Sequence, residues 1–242
     1  MHDMRVFLGK FAEDELDEIL KKSSAMDSIS GRIKFLSDRF VGLDYRASTL
    51  AGGPDSPEIL VVDLEGVDCF TLIDYVEAMR MSDSFPDFLN NLVNVRYKSG
   101  EVSFKSRKHF FSDWATSGDG SLEDVTREIG VDLTGKSIKV LNLKEDGTYY
   151  LPGIEPAERE IFHIPAPAIS DALLMKLSTG DYIGIYSEKA GLDVSHVGIF
   201  IRAEGETYLR HASSQAGVRK VVDEDFRSYI KKTPGIIVFR PV

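Results

Sequence analysis

The chain has 242 residues and a formal net charge of -10 at pH 7, from 29 basic and 39 acidic side chains. This acidic balance argues against a nucleic-acid partner, because phosphate binding requires clusters of lysine and arginine. Hydrophobic residues make up 43% of the chain, which is enough for a sizeable core. No apolar run reaches the roughly 18 residues that a membrane span needs.

The predicted elements begin with helices in about the first forty residues, where Phe11, Leu16 and Leu20 recur at helical spacing, as do Ile33 and Leu36 later. Residues 42–57 are rich in Gly, Pro, Ser and Asp, which predicts a loop. A short apolar run at 59–62 then leads to a helix over residues 70–81. The residue before that helix pattern is a cysteine, and the one before the cysteine is an aspartate.

The middle and the last third predict a mixture of helices and strands. The predicted elements are a helix from 84 to 92, a hairpin of 93–97 with 102–104, a capping box at 121–124 before a helix ending at 130, short strands within 134–167, a helix over 170–177, strands at 182–186, 194–202 and 207–212, a helix over 225–231 and a strand at 235–239. Helices first and an antiparallel sheet later predict the α+β class. We found neither a repeat nor a linker, which favours one domain over residues 1–242.

Cys69 is the only cysteine of the chain, so no intrachain disulfide and no multi-cysteine zinc site can form. It lies in the first turn of the predicted helix, which Asp68 is suited to cap. A helix N-terminus carries roughly half a positive charge, and such a position can lower the pKa of a thiol from about 8.5 toward neutrality. The position favours a nucleophile, although a buried cysteine is more often inert packing.

Two histidines on predicted strands complete a catalytic pattern. His196 lies in a strand where Val197, Ile199 and Ile201 form one apolar face, so its imidazole points to the other face. A strand histidine beside a helix cysteine is typical of a thiol–imidazole pair. His211 lies on the following strand, within reach of His196 if residues 204–205 form the turn, and could orient the base.

Four segments resemble one family of enzymes. They are DLEGVDCFT (63–71), HFFSDW (109–114), GLDVSHVGI (191–199) and HASS (211–214). In this order they resemble the NlpC/P60 cell-wall hydrolases, and within them the N-acetylmuramoyl-L-alanine amidase-like family that was once a domain of unknown function. The resemblance extends over residues 42–242.

The resemblance implies a papain-like α+β core, with N-terminal helices over about 1–40, a nucleophile-bearing helix packed on an antiparallel sheet, and an insertion over about 83–181. It implies Cys69 as nucleophile, His196 as general base and His211 as the orienting residue. The substrate would be peptidoglycan fragments (muropeptides), as in muropeptide recycling, with no cofactor. Members normally carry a secretion signal, which this N-terminus lacks, so a periplasmic or cell-envelope location and a cytoplasmic one both stay open.

Further residues are predicted to bind substrate. Tyr45 resembles a loop tyrosine of the family's active-site wall, and Asp68 and Ser195 adjoin the catalytic residues. Arg107, His109 and Trp114 form a patch suited to a sugar ring or a carboxylate, since an indole stacks on apolar ring faces and cations pair with anions.

Other function classes fit the sequence less well. A zinc hydrolase could use His196, His211 and His109, but no HExxH helix is present and Cys69 would have no role. An inactive cell-wall binding module is disfavoured because competent residues fill all three catalytic positions. A glycosidase would need a carboxylate pair that no spacing singles out. The alternative within the superfamily is an endopeptidase that cuts between D-glutamate and the diamino acid.

Overall fold

The computed structural model describes residues 4–116 and 120–242. The chain folds into two compact units. The first contains the residues up to Arg107 together with Arg210–Asp223, and the second contains Lys108–Leu209 together with Glu224–Val242. The single catalytic domain stays a prediction.

The first unit is mainly helical. Its elements are β1 (Met4–Phe7), α1 (Glu13–Ser24), α2 (Ile29–Asp38), β2 (Asp44–Tyr45), β3 (Leu60–Asp63), β4 (Gly66–Val67), α3 (Cys69–Arg80) and α4 (Phe85–Arg96). The strands form two short parallel pairs, β1 with β3 and β2 with β4. Helix α3 is enclosed, since every residue from Thr71 to Arg80 is buried. It therefore forms the centre of this unit.

The second unit contains most of a large antiparallel sheet. The remaining elements are α5 (Phe111–Thr116), β5 (Leu122–Asp124), α6 (Thr126–Gly130), β6 (Gly135–Leu141), β7 (Ala157–Pro165), α7 (Asp171–Leu174), β8 (Tyr182–Tyr186), β9 (Val194–Ala203), β10 (Glu206–Ala212), β11 (Val221–Asp225), α8 (Phe226–Ile230) and β12 (Gly235–Pro241). The strand order is β11-β10-β9-β8-β12-β7-β6, and β5 pairs with β12.

The core of the second unit lies on the sheet face that α8 covers. Phe200 of β9 packs edge-on against Phe226 of α8, with ring centroids 5.0 Å apart. Ile183, Leu209 and Val238, from three further strands, are buried in the same cluster. Helices and an antiparallel sheet in one chain confirm the α+β class at this coarse level.

Most predicted elements of the last third are confirmed, including the strand at 182–186, the two strands around the turn at 204–205 and the final strand. Helices α1, α2 and α3 also lie where the sequence predicts them. The predicted helix over 170–177 is shorter, ending at Leu174. Strand β11 and the length of the β6–β7 hairpin were not predicted.

Three predictions were wrong. Residues 4–7 form strand β1 rather than a helix, because they pair with β3; residues 1–3 of the predicted helical part lie outside the described residues. The hairpin at 93–104 does not form, since α4 continues to Arg96, whose buried side chain extends the helical pattern. Residues 122–124 form a strand with β12, and Asp124, not Ser121, accepts the N–H of Thr126 at the start of α6.

Candidate active site

Cys69 is the first residue of α3 and is partly buried. The carboxylate of Asp68 accepts hydrogen bonds from the backbone N–H groups of Phe70 (3.0 Å) and Thr71 (2.8 Å). In return the Thr71 hydroxyl accepts the N–H of Asp68 at 3.0 Å, which completes a capping box. The predicted cap is therefore confirmed, and it fixes the turn that carries the thiol.

Buried polar contacts hold α3 behind this turn. Asp74 forms an ion pair with Arg96 at 2.8 Å, and both side chains are at most 2% exposed. Arg96 also donates to the carbonyl of Val61 at 2.7 Å. The hydroxyl of Tyr75 accepts the N–H of Asp63 at 2.8 Å. Because charges removed from water are costly to leave unpaired, these contacts fix α3 against α4 and β3.

Tyr45 lies beside the nucleophile through the pairing of β2 with β4. It is opposite Val67, which is two residues before Cys69. Burial raises the pKa of Tyr45, and the negative charges of Cys69 and Asp68 raise it further, whereas Arg219 lowers it. The structure thus brings Tyr45, Asp68 and Cys69 together, while their part in substrate binding stays a prediction.

Arg219 is a neighbour of this cluster that the sequence did not single out. Its guanidinium lies 4.6 Å from the centroid of the Tyr45 ring. Its Nη2 donates to the carbonyl of Tyr45 at 3.3 Å, and its own carbonyl accepts the N–H of Tyr45 at 2.8 Å. The two residues are 174 positions apart, so no local pattern could have indicated the contact.

His211 lies on β10 and is 1% exposed. The preceding residue, Arg210, pairs with Asp223 at 2.7 Å and also with Asp38. Two residues later, Ser213 donates to the carbonyl of Lys220 at 2.8 Å, which closes the loop that carries Arg219. The burial of His211 fits a positioning role better than contact with substrate, and the orienting role stays a prediction.

In the second unit, a β-bulge adjoins His196. His196 pairs with Ile185 and Val194 pairs with Tyr186, so Ser195 is the extra residue. Ser195 is exposed, and its hydroxyl donates weakly to the carbonyl of Ile185 at 3.4 Å. The His196 ring is partly buried and lies 6.3 Å from the ring of Tyr229. Bulges re-aim side chains and are frequent next to active sites.

The predicted apolar and polar faces of this strand need correction, because residues 197–201 are all buried. The face of His196 continues into Phe200, which lies in the core. The sheet is therefore covered on both faces at this point, and the imidazole lies at the edge of the core rather than on a polar face.

Asp193 fixes the start of β9 and was not predicted as a site residue. Its carboxylate accepts the N–H of Ser112 in α5 at 2.7 Å and the N–H of Val194 at 2.8 Å. The side chain is 1% exposed, and this burial raises its pKa, although the bonds from Ser112 and Val194 lower it. Asp193 thus ties the strand that carries His196 to a helix 81 positions earlier in the chain.

Two residues of the predicted sugar and carboxylate patch have structural contacts instead. Arg107 is engaged with Glu58 through two nitrogens and donates to the carbonyl of Ala51 at 2.7 Å. Trp114 is 2% exposed and packs edge-on against Tyr182 at 5.3 Å, so its indole is not open to a sugar ring. His109 is partly buried, and its role stays a prediction.

Within residues 4–116 and 120–242, no helix combines the length and the apolar character needed to cross a membrane. In the same described part of the chain, no three His, Cys, Asp or Glu side chains are grouped so that they could hold a metal ion.

Several solved structures are similar to the chain. An N-acetylmuramoyl-L-alanine amidase from Bacteroides uniformis is 26% identical, with a TM-score of 0.69 over 94% of this chain and 99% of that one. A putative xylanase from Bacteroides fragilis is 29% identical, with a TM-score of 0.68 over 84% and 98%. A Legionella pneumophila protein of family DUF1460 is 22% identical, with a TM-score of 0.79 over 95% and 94%, a likeness that shows the fold alone. No curated protein matches the chain.

The sequence also matches a family model over residues 35–236, which is most of its length. That model describes the AmiA-like, or N-acetylmuramoyl-L-alanine amidase-like, proteins. The four segments that carry the resemblance all lie within the matched range. The chain belongs to the N-acetylmuramoyl-L-alanine amidase-like family.

Proposed function

We propose that this protein is a cysteine-dependent hydrolase of peptidoglycan or muropeptides that cuts the amide between the lactyl group of N-acetylmuramic acid and L-alanine. The observation that carries the proposal is the position of the only thiol of the chain, in the first turn of a capped and buried helix. Membership of the amidase-like family supports the bond type. The papain-like NlpC/P60 core is part of this proposal.

The reaction would proceed in two steps. The Cys69 thiolate attacks the lactyl carbonyl carbon, and His196 donates a proton to the departing amine of L-alanine, leaving a thioester between Sγ and the lactyl group. Water then attacks the thioester carbonyl while His196 accepts its proton, and Sγ leaves as the thiolate. His211 would hold the tautomer of His196 through both steps, as the third member of such a unit does.

The helix N-terminus supports the first step. The aligned peptide dipoles of the helix favour negative charge at this end, so they stabilise the thiolate over the neutral thiol. The carboxylate of Asp68 accepts hydrogen bonds from two N–H groups of this turn, those of Phe70 and Thr71. Tyr45 and Ser195 are proposed to contact the substrate beside the two catalytic residues. Arg107 and Trp114 are left out of the substrate site because of their contacts.

The substrate has a bulky sugar on one side of the scissile amide and a short anionic peptide on the other. We propose that residues 83–181, the insertion between Cys69 and His196, contribute a wall for it, and that His109 belongs to this wall. The nature of the substrate supports a periplasmic or cell-envelope location, with the cytoplasm as the alternative site of action on recycled fragments.

The test is incubation with a disaccharide-tripeptide, followed by mass spectrometry of the products. The proposal predicts free disaccharide and intact tripeptide. Release of a free diamino acid, with L-Ala-D-Glu still on the sugar, would instead identify the endopeptidase. Xylan is the control polysaccharide, chosen because one similar structure is named a putative xylanase. Release of xylo-oligosaccharides with the muropeptide left intact would overturn the amidase proposal in favour of a glycosidase.

A further inference from the structure

Among the residues that the structure describes, Arg219 has no carboxylate partner, unlike most other arginines of the first unit. Ion pairs neutralise the side chains of Arg46, Arg80, Arg96, Arg107 and Arg210. No such pair involves Arg219 among the residues that the structure describes, although acidic residues outnumber basic ones by 39 to 29 in the chain. Arg219 therefore keeps a cation available on a protein that is otherwise strongly acidic.

The position of this cation is fixed rather than free. The guanidinium stacks on the ring of Tyr45, 4.6 Å from its centroid, and Nη2 donates a hydrogen bond to the Tyr45 carbonyl. The backbone is anchored as well, because its carbonyl accepts the N–H of Tyr45 and its N–H donates to Gln215 at 3.2 Å. The other guanidinium nitrogens stay available to an incoming group.

Tyr45, which anchors Arg219, pairs with the strand that comes just before the nucleophile in the chain. Tyr45 pairs with Val67, and the N–H of the following residue, Arg46, donates to the Val67 carbonyl at 3.0 Å. Cys69 is two residues beyond Val67, within the same unit. A ligand group bound at Arg219 would therefore lie beside the thiol, on the side of Tyr45.

We propose that Arg219 is a specificity-determining residue that binds a carboxylate of the peptide attached to the scissile amide. This inference rests on the proposed function and names the substrate feature that the site would recognise. A guanidinium presents parallel N–H groups that match both oxygens of a carboxylate, whereas the ammonium of lysine is a point charge. The peptide stem of muropeptides carries free carboxylates, and its amidated forms differ from it by one such group.

The first experiment needs no substrate, because Cys69 is the only cysteine. Its alkylation rate is measured with iodoacetate, an anion, and with iodoacetamide, its neutral counterpart. A change in thiolate content alters both rates equally. The rate with iodoacetate divided by the rate with iodoacetamide therefore reports a cation near the thiol. The ratio should fall by about threefold in Arg219→Gln, as expected for one exposed charge, and less in Arg219→Lys.

Arg127→Gln is the matched control. Arg127 is also exposed, also stacks on an aromatic ring at 4.6 Å (that of Phe162), and also has no ion pair among the described residues. Its replacement should leave the alkylation ratio unchanged. If Arg219→Gln and Arg127→Gln give the same ratio as the wild type, the anion site is refuted.

The second experiment compares kcat/KM for N-acetylmuramoyl-L-alanyl-D-glutamate and for its isoglutamine form, in which one carboxylate is an amide. Arg219→Gln should lose the preference for the acid, mainly through KM, and keep turnover of the amide. A preference that survives in Arg219→Gln would overturn the inference. If the wild type hydrolyses neither compound, the proposed function fails, while the alkylation ratio still decides whether Arg219 binds anions beside Cys69.

Discussion

The two units place their proposed catalytic residues in different ways. In the first unit, Cys69 is fixed by contacts within three residues, because Asp68 and Thr71 close the capping box around it. In the second unit, His196 is fixed by contacts that are distant in sequence. It pairs with Ile185 on the neighbouring strand, and Asp193 ties the start of its strand to α5, 81 positions earlier.

This difference has consequences for both stability and function. A local cap contributes a modest free energy, typically about 1 kcal/mol, and its loss is confined to one helix end. A buried carboxylate that joins two elements affects both of them, because its removal leaves buried N–H groups without a partner. We therefore expect a change in the second unit to disturb stability more than a matched change in the first.

The largest expected effect is that of His196→Ala on turnover. The base and the nucleophile act as a unit, so kcat should fall by about 10⁴-fold or more. The double variant that also carries Cys69→Ala should have a kcat only slightly lower than that of His196→Ala. The assay is muropeptide turnover, with the thermal midpoint as a check on folding. Two single variants whose losses multiply in the double variant would show that the residues act independently.

The next effect is that of His211. Since an orienting residue needs only a suitable hydrogen-bonding group, His211→Gln or His211→Asn should keep more activity than His211→Ala, which should lose about 10-fold to 100-fold. The kcat values of the three variants are compared under saturating substrate. Equal losses in all three, together with zinc bound tightly to the wild type, would favour the metal hydrolase instead.

The contribution of the non-local contact in the second unit can be measured by replacing Asp193. Asp193→Ala should lower the free energy of unfolding by about 2–3 kcal/mol, because the N–H groups of Ser112 and Val194 lose their acceptor. Urea titration measures this loss. A loss below that of a helix cap would contradict the comparison between the two units.

The pH dependence of Asp193 has a defined sign. Burial raises its pKa in the folded state, so its contribution to stability is fully present below the ordinary value of 3.8 and is lost as the pH rises through the raised pKa. The stability of the wild type relative to Asp193→Asn should therefore decrease over a titration upward from pH 3.8. A constant difference across this range would show that the pKa is not raised.

Replacement of Asp68 removes the local contact and has the smallest expected effect on stability. Asp68→Ala should lower the free energy of unfolding by about 1 kcal/mol. Ser28→Ala is the matched control, because Ser28 caps α2 in the same unit by accepting the N–H of Gly31 at 2.9 Å. Both variants should lose similar stability in urea titrations, but only Asp68→Ala should change the rates of Cys69 alkylation and of turnover. Equal alkylation and turnover rates in the two variants would show that the cap at Asp68 does not affect the reactivity of Cys69.

Local signals made part of this site predictable from the sequence. The aspartate before an apolar helical pattern predicted the cap at Cys69, and the alternation after Gly205 predicted β10 with His211. Long-range contacts were not predictable in this way. Tyr45 and Arg219 meet across 174 positions, and the enclosure of Trp114 against Tyr182 depends on how α5 packs on the sheet. The closeness of Trp114 to Arg107 and His109 in the sequence had suggested a sugar-binding role for this tryptophan.

The proposed mechanism depends above all on hydrolysis by the thiol of Cys69. Its most direct test is turnover of a disaccharide-tripeptide by the wild type and by Cys69→Ala at equal concentration, with thermal midpoints measured on the same samples. We expect the wild type to release intact tripeptide, and Cys69→Ala to lose at least about 10⁴-fold in rate while its midpoint stays close to that of the wild type. Retention of most of the turnover by Cys69→Ala would show that Cys69 is not the nucleophile.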